Sequence, residues 1–365
     1  MPPPLRLPEP EVIVTCLKKR FTGVSGTVSA LLPVQARQLR LGYVGEPLPG
    51  ALRAQAESPS SFEALSLRQA VRLSWRRLAD GRPRLWHLRR NHEMLLGVVL
   101  RDVLRLPIRL VFTSAAIRRH SALPRWLIGQ MDAVIATTPE AARFVSAASV
   151  VGHGVDTERF VPPASKAQAW AASGLPGQFG LGVFGRIREE KGVHLLVAAL
   201  CRVLAQYPAW TAVIGGLCQA RDQAYQADLQ AQLARAGLTE RVVWLGEVPA
   251  ADMPLWYQRL SITVACPLYE GYGLTLIEGM ACGCAAVASR TGAFASMVQP
   301  GVSGTLVPVG DVDALTQALH PLMADPLRTQ AMGCRARERA VAQFSIEREA
   351  EGIAAVYRQL WARRG

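Results

Sequence analysis

The chain has 365 residues, of which 50% are hydrophobic and 19% are charged, and its formal net charge is +13. This length predicts about two domains, and the composition excludes a disordered chain. No run of about 18 apolar residues occurs and the start lacks an apolar signal segment, so we expect no membrane span and a cytoplasmic location.

The positive charge is concentrated in the first half. Residues 1–165 hold 23 Lys and Arg against 12 Asp and Glu, a net charge of +11, whereas residues 166–365 hold 18 against 16, a net charge of +2. A basic half beside a nearly neutral one predicts an anionic partner for the first half. Nucleic acid, an acidic membrane surface and a phosphorylated acceptor are all compatible with this charge.

The first half alternates short apolar runs with helical stretches, such as the one from Glu93 to Leu104. The apolar runs, which predict strands, are EVIVTCL (11–17), RLWHL (84–88), IRLVFTS (108–114), DAVIATT (132–138) and SVVGHG (149–154). Runs that are apolar on both faces and joined by helices are typical of a parallel sheet.

A glycine-containing segment, KKRFTGVSGTVSALLP (18–33), follows the first predicted strand. We expect Gly23 and Gly26 to lie in the loop before a helix, with Lys18, Lys19 and Arg20 beside them. Such a loop lets the backbone approach a ligand closely. A plain turn between a strand and a helix is the alternative.

Two further arginine-rich stretches lie in this half, RLSWRRLADGRPRLWHLRRNHE (72–93) and AAIRRHSALPRW (115–126). The second contains Arg118 and Arg119, which could face anionic lipid or phosphate or could lie on a solvated helix face. The histidines of this half have no metal-ligand spacing.

The second half repeats the alternation after a linker-like segment, VPPASKAQAWAASGLPGQ (161–178). Its predicted strands are FGLGVFGRI (179–187), WTAVIGG (210–216), RVVWLGEV (241–248), SITVACPL (261–268), AAVAS (285–289) and GTLVPVG (304–310). The sequence therefore predicts an α/β protein with two doubly wound domains, 1–165 and 175–345. An amphipathic helix from Ile346 to Arg363 is expected to pack back toward the first domain.

The motif GRIREEKG (185–192) directly follows the first strand of the second half. Arg186 and Lys191 flank a predicted turn into a helix, and two cations at a strand's carboxyl end suit a diphosphate. A solvated charge cluster is the alternative.

Gly180, Gly182 and Gly185 spell GxGxxG, but two of them fall inside the strand and no acid follows at the expected distance, which disfavours a dinucleotide site.

The motif EGYGLTLIEGMACG (270–283) gives the strongest indication of a binding site. Gly271 and Gly273 precede a helix that we expect to begin near Leu274, so its unpaired amides would form an anion site. Glu270 lies before this helix and Glu278 about one turn inside it. A carboxylate there can bind sugar hydroxyls, whereas a capping or solvent-facing glutamate is the alternative.

The seven cysteines give no second pair to accompany Cys282 and Cys284 at zinc-binding spacing. We therefore expect no metal site and no bound cofactor.

Together these motifs resemble glycosyltransferase family 4, whose members have the GT-B fold of two Rossmann-like domains facing a central cleft. The resemblance covers most of the chain and is densest from 149 to 345. It rests on HGVDTERF (153–160), GRIREEKG, VIGG (213–216), WLGEVP (244–249) and the pair Glu270 and Glu278, with seven residues between them. The segment 86–121 further resembles bacterial lipopolysaccharide core mannosyltransferases.

The resemblance implies a role for each motif. Gly185, Arg186 and Lys191 would bind the donor diphosphate, and Glu270 would contact the donor sugar. The remaining donor-side residues would be Gly271, Tyr272, Gly273 and Leu274 through their backbone, Glu278 at the ribose, and Gly246 and Val248 near the base. Gly23 and Gly26 would close over the phosphates, and Lys18, Lys19, Arg20, Arg118 and Arg119 would face the acceptor or the membrane.

The implied activity is that of a retaining, metal-independent hexosyltransferase. It would move mannose from GDP-mannose to an anionic lipopolysaccharide core acceptor at the inner face of the cytoplasmic membrane, without nucleic acid. A UDP-sugar donor, with glucose or N-acetylglucosamine, is the alternative, and a catalytically idle GT-B binding subunit is the alternative of another class. Thr113 and Ser114 stand where many family members carry a catalytic-site histidine, and His153 replaces the usual Asn, so the acceptor side departs from the family pattern.

Overall fold

A computed structural model describes residues 9–18, 22–145 and 148–363. The chain forms two compact units. Unit 1 comprises Met1–His153 together with Ile346–Gly365, and unit 2 comprises Gly154–Ser345. The division between the units therefore lies earlier than the predicted boundary at 161–178. The reason is that Phe160 and Trp170 are buried in the core of unit 2, against Tyr257 and Leu260.

Unit 1 contains a seven-stranded parallel sheet in its described part, with the order β3-β2-β1-β4-β5-β6-β7. The strands are β1 (Val12–Cys16), β2 (Leu41–Gly45), β3 (Phe62–Ala64), β4 (Arg84–Leu88), β5 (Ile108–Ser114), β6 (Ala133–Ala136) and β7 (Ala148–Val150). The helices are α1 (Gly23–Ala36), α2 (Pro49–Glu57), α3 (Leu67–Leu73), α4 (Asn91–Val98), α5 (Ala122–Gly129) and α6 (Pro139–Ala142). A π-helical turn, Val99–Val103, continues α4.

Unit 2 contains a six-stranded parallel sheet in the described residues, with the order β10-β9-β8-β11-β12-β13. The strands are β8 (Phe179–Phe184), β9 (Trp210–Gly215), β10 (Val242–Gly246), β11 (Leu260–Ala265), β12 (Ala285–Ser289) and β13 (Gly304–Val307). The helices are α7 (Lys166–Ala171), α8 (Val193–Val203), α9 (Gln223–Arg235), α10 (Met253–Arg259), α11 (Leu274–Ala281), α12 (Phe294–Met297), α13 (Val312–Ala324) and α14 (Pro326–Phe344).

Both sheets form because their strands are apolar on both faces, so each strand must be covered by helices on two sides. The central strands of unit 1 and unit 2 are fully buried, with Trp86 and Trp210 among the largest enclosed side chains. The prediction of two doubly wound α/β units is thereby confirmed. Each of the eleven predicted strands overlaps an observed one.

The last helix, α15 (Ile346–Ala362), belongs to unit 1. Its apolar side packs into the core beside α1 through Ile353 and Tyr357. Trp361 donates a hydrogen bond from Nε1 to the carbonyl of Pro83 at 2.9 Å. The chain thus returns from unit 2 to complete unit 1.

Strands β2 and β3 were missed by the sequence prediction. β2 contains Gly42 and Gly45, which lower β-propensity, and β3 has three residues. A side chain at position 42 would clash with the neighbouring strand, because its Cβ would lie 2.6 Å from Ile13 Cδ1. Glycine fits this position because it has no Cβ. Within the described residues, no helix combines the length and apolarity needed to cross a bilayer.

Candidate active site

The predicted donor-side residues of unit 2 follow the carboxyl ends of neighbouring strands. The strand order of this sheet reverses between β8 and β11, and ligands of doubly wound folds bind outside the carboxyl ends of strands at such a point. Arg186 and Lys191 follow β8, and Glu270 follows β11. The sheet order therefore brings together two motifs that lie far apart in the sequence.

The loop after β8 lies directly against the loop after β11. The N–H of Leu268 donates to the carbonyl of Glu190 at 2.9 Å. Gly192, with φ +72°, precedes α8, and a Cβ on it would lie 1.8 Å from the carbonyl oxygen of Cys266. Only glycine permits this approach, and the approach sets Lys191 beside Glu270.

Lys191 and Glu270 form an ion pair. Lys191 Nζ donates to Glu270 Oε2 at 2.7 Å, and the two side chains are 24% and 20% exposed. The other carboxylate oxygen, Oε1, accepts from the N–H of Gly271 at 2.9 Å. Both oxygens of Glu270 are thus held, while the pair stays accessible to a ligand.

Arg186 differs from Lys191 in having no partner. It is exposed, and it makes no hydrogen bond or ion pair with any residue in the described ranges. A guanidinium in this state is free to bind an incoming phosphate group in two-point fashion.

Helix α11 begins with an open amino end. Gly273 precedes it with φ +97°, and a Cβ there would lie 2.0 Å from Phe294 Cε1. No side chain in the described part of the chain caps the helix, so its first amides are available to an anion. Tyr272 is buried against the core beside this turn, and Leu274 is the first helical residue, as predicted.

Glu278 lies in the second turn of α11 and is partly buried. Burial raises the pKa of its carboxyl from 4.5 to about 7, although the positive charge of Arg159 acts in the opposite direction. The position of Arg159 near Glu278 was not predicted, because the two lie in different motifs. A carboxyl group with this pKa is partly protonated near neutral pH. It can accept hydrogen bonds from hydroxyl groups or donate one to them.

Of the two residues expected near the base, Gly246 is the last residue of β10 and Val248 follows the strand. The N–H of Gly216 donates to the carbonyl of Gly246 at 2.7 Å, which joins this strand end to the end of β9. Val248 is half-buried and lies close to the end of β9. Its Cγ2 would be 3.2 Å from a Cβ atom if Gly215 carried one. Gly185 is held at the same strand ends, because its N–H donates a hydrogen bond to the carbonyl of Gly215 at 3.0 Å.

The expectation that Gly23 and Gly26 lie in a loop was wrong. Helix α1 begins at Gly23, so both glycines lie in its first turn, and the N–H of Gly26 donates to the carbonyl of Thr22 at 2.9 Å. The low helix propensity of glycine suggested a loop. The later residues of α1 are buried, and their burial stabilises the helix despite the two glycines. Lys18 is exposed, whereas Lys19 and Arg20 lie outside the described residues.

The acceptor-side residues predicted after β5 are exposed. Arg118 and Arg119 form no hydrogen bond or ion pair with other residues in the described part of the chain. His120 is half-buried, and burial together with the charge of Arg118 lowers its pKa below 6.5.

A buried polar chain in unit 1 was missed by the sequence analysis. His87 Nδ1 lies 2.5 Å from Tyr357 Oη, and His87 Nε2 lies 2.7 Å from Thr113 Oγ1. Burial, assisted by the charge of nearby Arg89, holds the pKa of His87 well below 6.5. Thr113, which stands where the family histidine was expected, is therefore linked to a neutral imidazole. His153 is likewise partnered, with Nδ1 2.8 Å from Glu349 Oε1.

Cys282 and Cys284 are buried free thiols. Cys284 Sγ donates to the carbonyl oxygens of Tyr257 and Leu260, each at 3.2 Å. Among the described residues, no three His, Cys, Asp or Glu side chains are grouped as metal ligands would be.

Comparison with known proteins gives consistent matches. The family model of the glycosyl transferases group 1 matches residues 149–339, which include both motifs of the unit 2 site. The lipopolysaccharide core biosynthesis mannosyltransferase LpcC of Rhizobium leguminosarum bv. viciae is 42% identical over 352 residues, which cover 96% of each chain. LpsB of Rhizobium meliloti (strain 1021), with the same description, is 38% identical over 96% of this chain and 97% of its own.

Among solved structures, HepE from Anabaena in complex with UDP has the same fold. The TM-score is 0.80 at 19% identity, over 96% of this chain and 100% of HepE. The two parallel-sheet units are therefore those of a GT-B protein.

Proposed function

This chain belongs to the group 1 glycosyl transferases, and from that premise we propose that it transfers mannose from GDP-mannose to an acceptor of the lipopolysaccharide core. Two relatives that match nearly their whole length are described as lipopolysaccharide core mannosyltransferases, which supports both the sugar and the acceptor. The observation that carries the proposal is the accessible ion pair of Lys191 and Glu270 beside the open start of α11.

The donor would replace contacts that these residues now make with each other. A diphosphate has the charge to attract Lys191 away from Glu270, and exposed Arg186 and the amides of α11 would bind the same group. The released Glu270 carboxylate would then accept hydrogen bonds from sugar hydroxyls. Glu278 would bind the ribose, and the segment from Gly246 to Val248 would lie along the base.

Catalysis would come from stabilising the leaving group. Negative charge grows on the β-phosphate as its bond to the sugar breaks, and groups already aimed at that charge bind the transition state more tightly than the ground state. Arg186, Lys191 and the α11 amides would supply this stabilisation. In our proposal they take the place that a divalent metal ion has in other transferases.

We further propose that the anomeric configuration is retained by attack from the face that the diphosphate leaves. The acceptor oxygen would bond to the anomeric carbon as the bond to the phosphate oxygen breaks, and the acceptor proton would pass to that phosphate oxygen. Glu270 is a poor candidate for a covalent nucleophile because, in the donor complex that we propose, its oxygens accept hydrogen bonds from the Gly271 N–H and from sugar hydroxyls.

Unit 1 has a surface suited to the anionic membrane that carries such an acceptor. Helices α4 and α5 are neighbours, and they expose Leu95, Leu123 and Trp126 to 47%, 59% and 51%. Exposed Arg118 and Arg119 precede α5. Apolar side chains next to arginines bind the interface of anionic lipid, so we propose peripheral attachment at the inner face of the cytoplasmic membrane.

Calorimetric titration with GDP, GDP-mannose, UDP and UDP-glucose tests the donor. We expect saturable binding of the guanine nucleotides, much weaker binding of the uridine pair, and transfer of labelled mannose to lipopolysaccharide core. Preferred binding of a UDP-sugar would contradict the donor assignment. Donor binding without transfer to any core acceptor would indicate a binding subunit.

A further inference from the structure

Unit 1 has a basic pocket formed by residues to which no donor contact has been assigned. It is lined by Lys18, Arg89, Arg90, Asn91 and His92. These residues follow the carboxyl ends of β1 and β4, where the strand order of the unit 1 sheet reverses. The pocket therefore occupies the position in this sheet at which doubly wound folds bind ligands.

Arg89 lines this pocket, is buried, and has no counter-ion among the described residues. Its residue is 7% exposed, and its Nε is enclosed with no hydrogen-bond partner. The guanidinium makes no ion pair with any residue in the described ranges. Enclosing an unpaired charge is strongly unfavourable, so an anion bound beside Arg89 would offset that cost.

The nearby carboxylate, Glu93, is already engaged by other groups. It accepts hydrogen bonds from Thr15 Oγ1 at 2.9 Å, from the Leu17 N–H at 3.0 Å and from the Arg89 N–H at 2.8 Å. These bonds fix the loop after β4 through its backbone. They leave the Arg89 guanidinium itself unneutralised.

Arg90 and two helix ends lie around the pocket, and the charge of Arg90 is partly offset because its Nη1 lies 3.7 Å from Glu93 Oε1. Arg90 Nη2 donates to Thr22 Oγ1 at 2.8 Å and to Ser25 Oγ at 3.2 Å, which holds it at the first turn of α1. Among the described residues, no side chain caps the amino end of α1 or of α4. Both ends contribute partial positive charge to the same place.

We propose that this pocket binds an oxyanion of the acceptor, a phosphate or a carboxylate, through the guanidinium of Arg89 assisted by Arg90 and Lys18. A guanidinium binds either group through paired hydrogen bonds. The ligand's identity as the acceptor rests on the proposed function, whereas anion binding by the pocket does not.

Titration of inorganic phosphate into the full chain tests anion binding. The Arg186→Ala/Lys191→Ala background removes the cations of the donor site. In that background we expect saturable phosphate binding that Arg89→Gln weakens about tenfold or more. Arg68→Gln, which removes an exposed charge on α3, is the matched control and should bind phosphate like the background. Equal phosphate affinity with and without Arg89→Gln would overturn the proposal.

If Arg89→Gln fails to fold, Arg89→Lys provides a second variant that keeps the positive charge. We expect it to fold and to bind phosphate more weakly than arginine does, because lysine lacks the two-point geometry. Unchanged phosphate affinity in a folded Arg89→Lys protein, with Arg89→Gln unfolded, would assign Arg89 a structural role and overturn the proposal.

Steady-state kinetics of Arg89→Gln in the otherwise wild-type chain then test the acceptor assignment. We expect the KM for acceptor to rise about tenfold while the KM for donor stays unchanged. Acceptors treated with phosphatase or reduced at their carboxyl groups distinguish the two anions, since the effect of Arg89→Gln disappears with the acceptor lacking the group it binds. An unchanged acceptor KM despite lost phosphate binding would contradict the assignment to the acceptor.

Discussion

Lys191 Nζ lies 2.7 Å from Glu270 Oε2, although the two residues are 79 positions apart in the sequence. The contact exists because β8 and β11 are neighbours in the sheet and because Gly192 lets their following loops touch. One residue of the pair would bind the phosphate and the other the sugar. In the proposed function, donor binding would therefore open this pair.

The turn at Gly273 allows a specific test of the link between fold and site. Gly273→Ala would place a Cβ in a left-handed conformation and against Phe294, so we expect a loss of about 3 kcal/mol in unfolding free energy. Gly174→Ala is a matched control, since Gly174 also has positive φ but has nothing within 4 Å of its Cβ position. It should cost about 1 kcal/mol. Equal losses for the two variants in denaturant unfolding would show that the Phe294 contact is unimportant.

Glu278 predicts a dependence of stability on pH. Burial raises its pKa to about 7, so the folded chain keeps this proton up to a pH at which the unfolded chain has already lost it. Stability is then lost as pH rises from about 4.5 through about 7, by a term on the order of 3 kcal/mol.

Glu278→Gln removes that ionisation. We expect the variant to unfold at higher denaturant than wild type at about pH 8, and the difference to disappear near about pH 4.5. Glu240→Gln, at an exposed position, is the control and should change stability little at either pH. A Glu278→Gln protein that is less stable than wild type at the higher pH would refute the assigned burial effect.

Membrane attachment predicts a charge-dependent interaction with vesicles. Arg118→Ala/Arg119→Ala removes two surface charges, each contributing about 1 kcal/mol near anionic lipid, so affinity for anionic vesicles should fall roughly thirtyfold. Arg202→Ala/Arg235→Ala removes two exposed charges from unit 2 and should have little effect. Sedimentation with vesicles measures both, and binding that is insensitive to salt and to the first pair would rule out this surface.

The sequence was sufficient to predict much of the fold because most strands are buried on both faces. β2 was missed because its glycines fit a crowded site that only the packed sheet reveals, as at Gly42 beside Ile13. Gly23 and Gly26 were placed in a loop because local propensity was outweighed by burial of α1.

The motifs predicted a set of donor-site residues, but not how those residues contact each other. The pairing of Lys191 with Glu270 depends on strand order, and the environment of Glu278 depends on packing near Arg159. The two arginines after RLWHL were visible as a charged stretch. Only the structure shows that the side-chain Nε of the first arginine is enclosed with no hydrogen-bond partner among the described residues.

The most direct test of the account is the turnover of Lys191→Ala with GDP-mannose and core acceptor. The side chain is partly exposed, so the variant should fold, and loss of one leaving-group cation should lower kcat about a hundredfold, or roughly 3 kcal/mol. Arg202→Ala should leave kcat unchanged, since Arg202 lies at an exposed ion pair on α8. Near-normal mannosyl transfer by a folded Lys191→Ala protein would contradict the role of this cation in catalysis.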